Sequence, residues 1–392
     1  MSFDTIDLLT GHVFQVTWDT GRRCNYDCSY CPVHRHDNFS RHATIDELKD
    51  NVDFLYEYID LHLGYRKSKI ANIGFTGGEP TVNPNFIPFA KYLRSEYDTK
   101  YRDKWECGFA LTSNGAMGEK MGQAVMENFD HATVSYHSES DQKLKDQVRN
   151  RILQFHYKGQ EHNFTVSVNV MFHAEYFDEC KDLCAFLEQH QVDYVPRVIG
   201  EEPDSRPSFA HKYNDEQLAW FKDYWRVKNE KKNDEKEISK VLSAAGEKKN
   251  EKKKLGNSIG RPCCGSRDML LHAGAKSKKS NFVDFRQFKG WSCSVNWFFL
   301  HLEQQTDSVF HHQTCQAKFE HGKRGRIGKL SEGKQIIADL RQKMETNTMP
   351  TIICPKMTCG CGLCAPKSMH QDRYLEVLGN HLDTGVLNVN HG

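Results

Sequence analysis

Residues 17–32 read TWDTGRRCNYDCSYCP, a strand-like run that leads into three cysteines and a proline. Cys24, Cys28 and Cys31 fall within eight residues. Thiolates bind soft metals and iron–sulfur clusters. Three of them are one ligand short of a closed tetrahedral zinc site, for which His34 is near enough in sequence to be the fourth. The other reading is a centre that keeps one position open.

Working outward, the chain has 392 residues, fourteen cysteines and a formal net charge of +1. That length predicts one large domain with a smaller companion. The near-zero charge gives no argument for nucleic acid or for an acidic membrane surface. No run reaches the roughly 18 apolar residues that span a bilayer. The opening MSFDTIDLLTGH carries no basic segment followed by an apolar one, so the expectation is a cytoplasmic protein without a secretory signal. Reduced surroundings disfavour disulfides, and clustered cysteines then read as metal or cluster ligands. Cys107, Cys180 and Cys184 lie in apolar segments and read as small buried hydrophobes.

Strand signals fall at 12–18, 70–76, 107–112, 131–137, 164–171 and 193–199, and helix signals at 44–63, 84–95, 118–128, 142–156 and 178–189. The clearest helix opens on Thr44, with Glu47 completing a capping box and Leu48, Val52, Leu55 and Ile59 forming a stripe. Alternation of this kind predicts parallel strands with right-handed crossovers, as a partial or full barrel or an open doubly wound sheet. One face of these strands is polar: Asn72 with Thr76, Thr133 with Ser135 and His137, Ser167 with Asn169. Strands buried on both sides read as continuous apolar runs. The polar face therefore either lines a cavity or pairs its own groups inside a packed interior.

About fifty residues after the cysteines, at the end of the next strand, comes GFTGGEPT, Gly74–Thr81. Paired glycines admit close backbone approach, and Pro80 stiffens the turn after Glu79. Such a loop can hold a cationic amine against carbonyls and a carboxylate. Cys24-x3-Cys28-x2-Cys31, with Tyr30 before the last cysteine, together with Gly77, Gly78, Glu79 and Pro80, resembles the signature of the radical S-adenosylmethionine (radical SAM) superfamily. Softer matches are TSNG (Thr112–Gly115, including Asn114), VSYHS (Val134–Ser138, including Ser135), DQVR (ending at Arg149) and VIGEE (Val198–Glu202).

The resemblance implies an α/β fold, a (β/α)6 partial TIM barrel, over about half of the chain. It implies a [4Fe–4S] cluster on Cys24, Cys28 and Cys31 whose uncapped iron chelates S-adenosylmethionine. The cofactor contacts it implies are Gly77, Gly78, Glu79, Pro80, Asn114, Ser135, Arg149 and Asn169, with Arg149 on the methionine carboxylate. One-electron cleavage would give a 5′-deoxyadenosyl radical that takes hydrogen from substrate. A flavodoxin- or ferredoxin-type protein is the expected electron donor.

The C-terminal part resembles the SPASM and shortened twitch modules of that superfamily through DSVFHHQTCQA, GRIGKL and the closing CGLC. It implies one auxiliary [4Fe–4S] cluster on Cys293, Cys315, Cys361 and Cys364, with Cys354 and Cys359 as alternates. A structural zinc ribbon is the competing reading of the same cysteines. Adjacent Cys263 and Cys264 are candidate hydrogen donors to a substrate radical, or else a ligand and a packed thiol. His137 and Arg197 are candidate substrate contacts, while His34, His311 and His312 read as surface or turn residues. The lysine- and glutamate-rich 228–254 reads as a solvated helical or disordered insertion. The expected organisation is a barrel over 1–215, a charged insertion or linker over 216–258 and an iron–sulfur domain over 259–392.

The leading function is therefore a radical SAM enzyme acting on a small molecule or a peptide, with oxidation, bond formation or epimerisation as the outcome. The start of strand signals so near residue 13 favours a substrate without a separate leader-binding domain. The alternatives are a non-catalytic zinc or iron–sulfur interaction protein and a nucleic-acid-modifying radical SAM enzyme. The glycine loop counts against the first and the neutral charge against the second.

Overall fold

A computed structural model describes residues 5–6, 13–31, 36–199, 213–244, 289–311, 326–354 and 365–383. After a short β1 (Thr5–Ile6), the six expected strands form: β2 (Val13–Asp19), β3 (Ile70–Thr76), β4 (Glu106–Ser113), β5 (His131–His137), β6 (Thr165–Phe172) and β7 (Asp193–Val198). They pair in parallel in chain order. Five helices make the crossovers: α1 (Ile45–Gly64), α2 (Phe86–Lys100), α3 (Glu119–Asn128), α4 (Gln142–Lys158) and α5 (Phe177–Gln189). This is the six-strand parallel core of a partial barrel. At the start of α1 both halves of the expected capping box are made, Thr44 Oγ1 accepting from Glu47 N and Glu47 accepting from Thr44 N. Such a cap stabilises a helix by about 1 kcal/mol.

The two faces of the sheet do different work. Phe14, Val16, Trp18, Ile73, Phe75, Phe109, Leu111, Val134, Tyr136, Val168 and Val170 are buried beneath the helices. The polar face splits along the strands. Toward the strand starts its groups satisfy one another: His131 reaches Thr165 Oγ1 at 2.8 Å and Ser167 Oγ at 3.0 Å, and Asn72 donates to Gln15 at 3.2 Å. There the packed-interior reading holds. Toward the strand ends Thr76, Ser135, His137, Asn169 and Arg197 are half-buried.

The chain after residue 289 extends this same sheet. The apolar run WSCSVNWFFLHLEQ divides into β8 (Ser292–Cys293), a helical turn Val295–Phe298 and β9 (Phe299–Glu303). β9 lies parallel against the free edge of β2, with Thr17 opposite His301 and Asp19 opposite Glu303. Then β10 (Ser308–Phe310) and β11 (Arg326–Gly328) add antiparallel strands, giving nine in the order β11-β10-β9-β2-β3-β4-β5-β6-β7. Parallel pairing covers an edge that would otherwise present unpaired backbone groups. A separate sheet contains β1, β13 (Lys367–Ser368), β8 and β12 (Ile352–Ile353), all antiparallel. The helix Gly333–Glu345 seats Gly333 on Phe54 of α1, where a Cβ would come within 2.9 Å of the ring.

The charged stretch from 228 is helical as far as Ala244, within α6 (Asp215–Ala244). The first half of α6 is anchored: Phe221 is buried and, with Trp220, packs on Phe172 and Phe177. Among the described residues no helix is long and apolar enough to cross a membrane.

Candidate active site

The two motif loops follow β2 and β3, neighbours in the sheet, and are tied together by backbone. Thr20 N donates to Thr76 O, Gly78 N to Gly21 O and Glu79 N to Arg23 O, each at 2.8 Å. Strand pairing thus continues past the ends of both strands. Gly77 sits at φ +141°, and a Cβ there would lie 2.5 Å from Gly21 O. A Cβ on Gly78 would lie 2.2 Å from Arg22 O. The close approach these glycines serve is to the cysteine loop itself.

Glu79 is 3% exposed and its carboxylate is occupied by its own fold. Oε1 accepts from Thr81 N at 3.1 Å, Thr81 Oγ1 at 2.5 Å and Ser113 Oγ at 2.9 Å, and Oε2 accepts from Asn114 N at 2.6 Å. Burial pushes its carboxyl up, while these donors pull it back. The carboxylate clamps the glycine loop to the Thr112–Gly115 turn after β4, while Glu79 O and Pro80 O accept from Val82 N and Asn83 N. Asn114 continues the chain of contacts, donating to Asn25 Oδ1 at 2.7 Å inside the cysteine loop.

The other side of the cysteine loop rests on the end of β5. Cys28 Sγ is 3.3 Å from His137 Nδ1, and Tyr30 Oη shares that nitrogen. Ser29 donates from N at 3.0 Å and from Oγ at 2.6 Å to the Glu139 carboxylate. His173, at the end of β6, accepts from Glu175 N on Nδ1, so its proton sits on Nε2, which faces Glu139 at 3.4 Å. Burial, then the nearby Cys31, Glu139 and Cys24, push the Cys28 thiol up to about 12. Burial also raises Cys24, lifts Tyr30 well above the usual phenol range, and pushes His137 down to about 4.

These thiols fit a cluster. Cys31 and Cys24 both oppose ionisation of the Cys28 thiol, which a cationic metal centre relieves. Among the described residues no three Cys, His, Asp or Glu side chains converge on one point for a single ion. Thiolates on a cubane each bind a separate iron and need no such point. His34 lies outside the described residues.

Among the remaining expected residues, Ser135 and Asn169 stand opposite each other on the polar face. Arg197 Nε donates to Asn169 Oδ1 at 2.9 Å, which draws it into the same group. Arg149, on α4, has its guanidinium 6.0 Å from the Tyr136 ring and 5.9 Å from Phe186. Cys293 and Cys354 are both buried. Cys293 faces Ile352 across β8 and β12, and Cys354 N donates to Trp291 O at 2.8 Å, so strand alternation puts both thiols on one face. Cys263, Cys264, Cys315, Cys359, Cys361 and Cys364 lie outside the described residues. Cys107, Cys180 and Cys184 are buried as expected.

Sequence reasoning missed Ser29, Glu139 and His173, whose partners lie more than a hundred residues apart or on separate strands. It also missed His301 and Glu303, which β9 brings to the polar face beside Thr17 and Asp19, with His301 Nε2 3.3 Å from Glu303 Oε1. No local pattern marks them, because strand pairing alone brings them there.

A six-strand parallel core that carries a cysteine loop bonded to a glycine loop at its strand ends is the architecture of a partial barrel. Residues 18–187 match the Radical SAM superfamily. Two structures of anSMEcpe are similar to the chain, each at 12% identity and TM-score 0.46. That with bound AdoMet covers 86% of this chain and 84% of the other, and that with AdoMet and the Cp18Cys peptide covers 94% and 96%. Streptococcus suis SuiB bound to S-adenosylmethionine is similar at 12% identity and TM-score 0.46, over 79% of this chain and 63% of the other. A search of curated proteins found no match. The superfamily implies a [4Fe–4S] cluster and S-adenosylmethionine.

Proposed function

We propose that Cys24, Cys28 and Cys31 hold the [4Fe–4S] cluster and that the protein uses it to abstract hydrogen from a small-molecule or peptide substrate. When bound, cluster and S-adenosylmethionine supply one-electron cleavage to a 5′-deoxyadenosyl radical. The observation that carries the reading is the continuous backbone pairing of the cysteine loop with the Gly77–Pro80 loop, which fixes the thiols and the glycine-loop backbone in one frame. In this reading the glycine-loop carbonyls bind the methionine amine. Ser135, Asn169 and Arg197 orient the nucleoside and carboxylate ends, and Asn114 steadies the cysteine loop. The helices seal the opposite face of the sheet from water.

The C-terminal part is proposed to hold one auxiliary cluster. Cys293 and Cys354, on one face of the small sheet, are two of its ligands in this reading. The others come from Cys315, Cys359, Cys361 and Cys364. Cys263 and Cys264 remain candidate hydrogen donors, and a flavodoxin- or ferredoxin-type protein the electron source. The proposed organisation is a barrel to about residue 215, a charged segment whose first turns pack on that barrel, and an iron–sulfur region from 259 whose β9, β10 and β11 join the barrel's sheet.

Anaerobic reconstitution tests the reading directly. The expected result is acid-labile sulfide with iron, and 5′-deoxyadenosine on reduction with dithionite. Deuterated candidate substrates should pass label into that product. Zinc without sulfide would overturn the assignment.

A further inference from the structure

The end of β5 offers the cysteine loop more than packing. His137 is the last residue of β5, so the sheet fixes its ring. Tyr30 stacks on that ring at 5.9 Å and 17°, and Tyr26 meets it edge-on at 5.6 Å and 85°. The ring is thereby held with Nδ1 toward Cys28 Sγ at 3.3 Å. The Tyr30 hydroxyl reaches the same nitrogen, beside Cys28 Sγ. The two Ser29–Glu139 bonds pin the residue beside Cys28 to the same strand end.

We infer that His137, with Tyr30, is a hydrogen-bond donor pair on the Cys28 sulfur that sets the reduction potential of the cluster held by that loop. His137 is thus a positioning and tuning residue, not the substrate contact its place in the sequence suggests. The inference rests on the proposed cluster assignment. Its physical basis is simple. A reduced cluster carries one more negative charge, spread partly over its thiolates. An N–H or O–H aimed at one of those sulfurs stabilises the reduced form more than the oxidised one and raises the potential. Nδ1 carries the proton and shares it between Sγ and Tyr30 Oη, and the Tyr30 hydroxyl turns its own proton to sulfur.

The test uses the full chain, reconstituted anaerobically, with iron and sulfide counted before each measurement. Midpoint potentials come from redox titration followed by electron paramagnetic resonance. His137→Phe should keep its iron and fall to a more negative midpoint, with about tenfold less reduced cluster at a fixed poise, a shift of about 60 mV for one electron. His137→Gln restores an N–H donor and should recover most of the shift. Tyr30→Phe keeps the ring stack, loses one donor and should fall between. An unchanged midpoint in fully loaded His137→Phe would overturn the inference, as would His137→Gln shifting as far as His137→Phe. Loss of iron in both His137 variants, with Tyr30→Phe unchanged in potential, would make His137 a structural prop and overturn it too. If the wild-type chain takes up no cluster through Cys24, Cys28 and Cys31, the functional reading itself fails, a result recognisable before any variant is titrated.

Discussion

The cysteine loop and the small C-terminal sheet both bury thiols, by opposite routes. In the loop, Cys24, Cys28 and Cys31 are neighbours in sequence, and long-range contacts only secure them: the glycine loop on one side, His137 and Glu139 on the other. In the sheet, Cys293 and Cys354 are far apart in sequence, and strand pairing is what makes them neighbours. The first arrangement can be written as a motif. The second exists only once the chain has folded.

The comparison can be broken most sharply at the loop. Cys28→Ala should abolish both cluster loading at the first site and 5′-deoxyadenosine formation, read by iron content and chromatography. Cleavage at the wild-type rate would dissolve the distinction between the two thiol groups. Cys293→Ala should lower the iron count and stop product formation while leaving 5′-deoxyadenosine formation largely intact. Equal loss of both activities would mean that the two regions work as one site.

Smaller effects sharpen the contrast between what each loop and strand contributes. His131, in the closed polar layer, has its imidazole pushed down to about 4 by burial. The unfolded chain takes up that proton near pH 6.5, so between about 6.5 and 4 it binds more protons than the folded one, and stability falls as pH falls. The loss should not exceed about 3.5 kcal/mol. His131→Gln should flatten that part of a pH–melting curve. Gly78→Ala forces a methyl against Arg22 O and should cost about 1–3 kcal/mol, seen as a lower urea midpoint. Thr44→Ala removes the α1 cap, far from either thiol group, and should cost about 1 kcal/mol with no change in iron content.

How much was legible follows from how local each signal is. The six parallel strands and their helices were readable to within a residue or two at most strand ends, because alternation and three-to-four spacing report burial directly. Thr44 and Glu47 announced α1 through a cap that spans four residues. The glycine pair was readable as a close approach, though not what it approaches: the sequence does not say that Arg22 O lies over Gly78. The contacts of Arg149 with Tyr136 and Phe186 were not readable, because they depend on how α4 is turned on the sheet. The β9 pairing with β2 was out of reach, since a short apolar run carries no mark of which sheet edge it will join.

That pairing has a consequence for anyone dividing the molecule. A fragment ending before Phe299 would keep every cysteine of the first loop, yet it would expose Gln15–Asp19 of β2 as a bare backbone template. Such an edge recruits strands from other copies, so the truncated protein should precipitate or assemble in solution. The autonomy suggested by a self-contained motif at residues 24–31 therefore does not extend to the strand that leads into it.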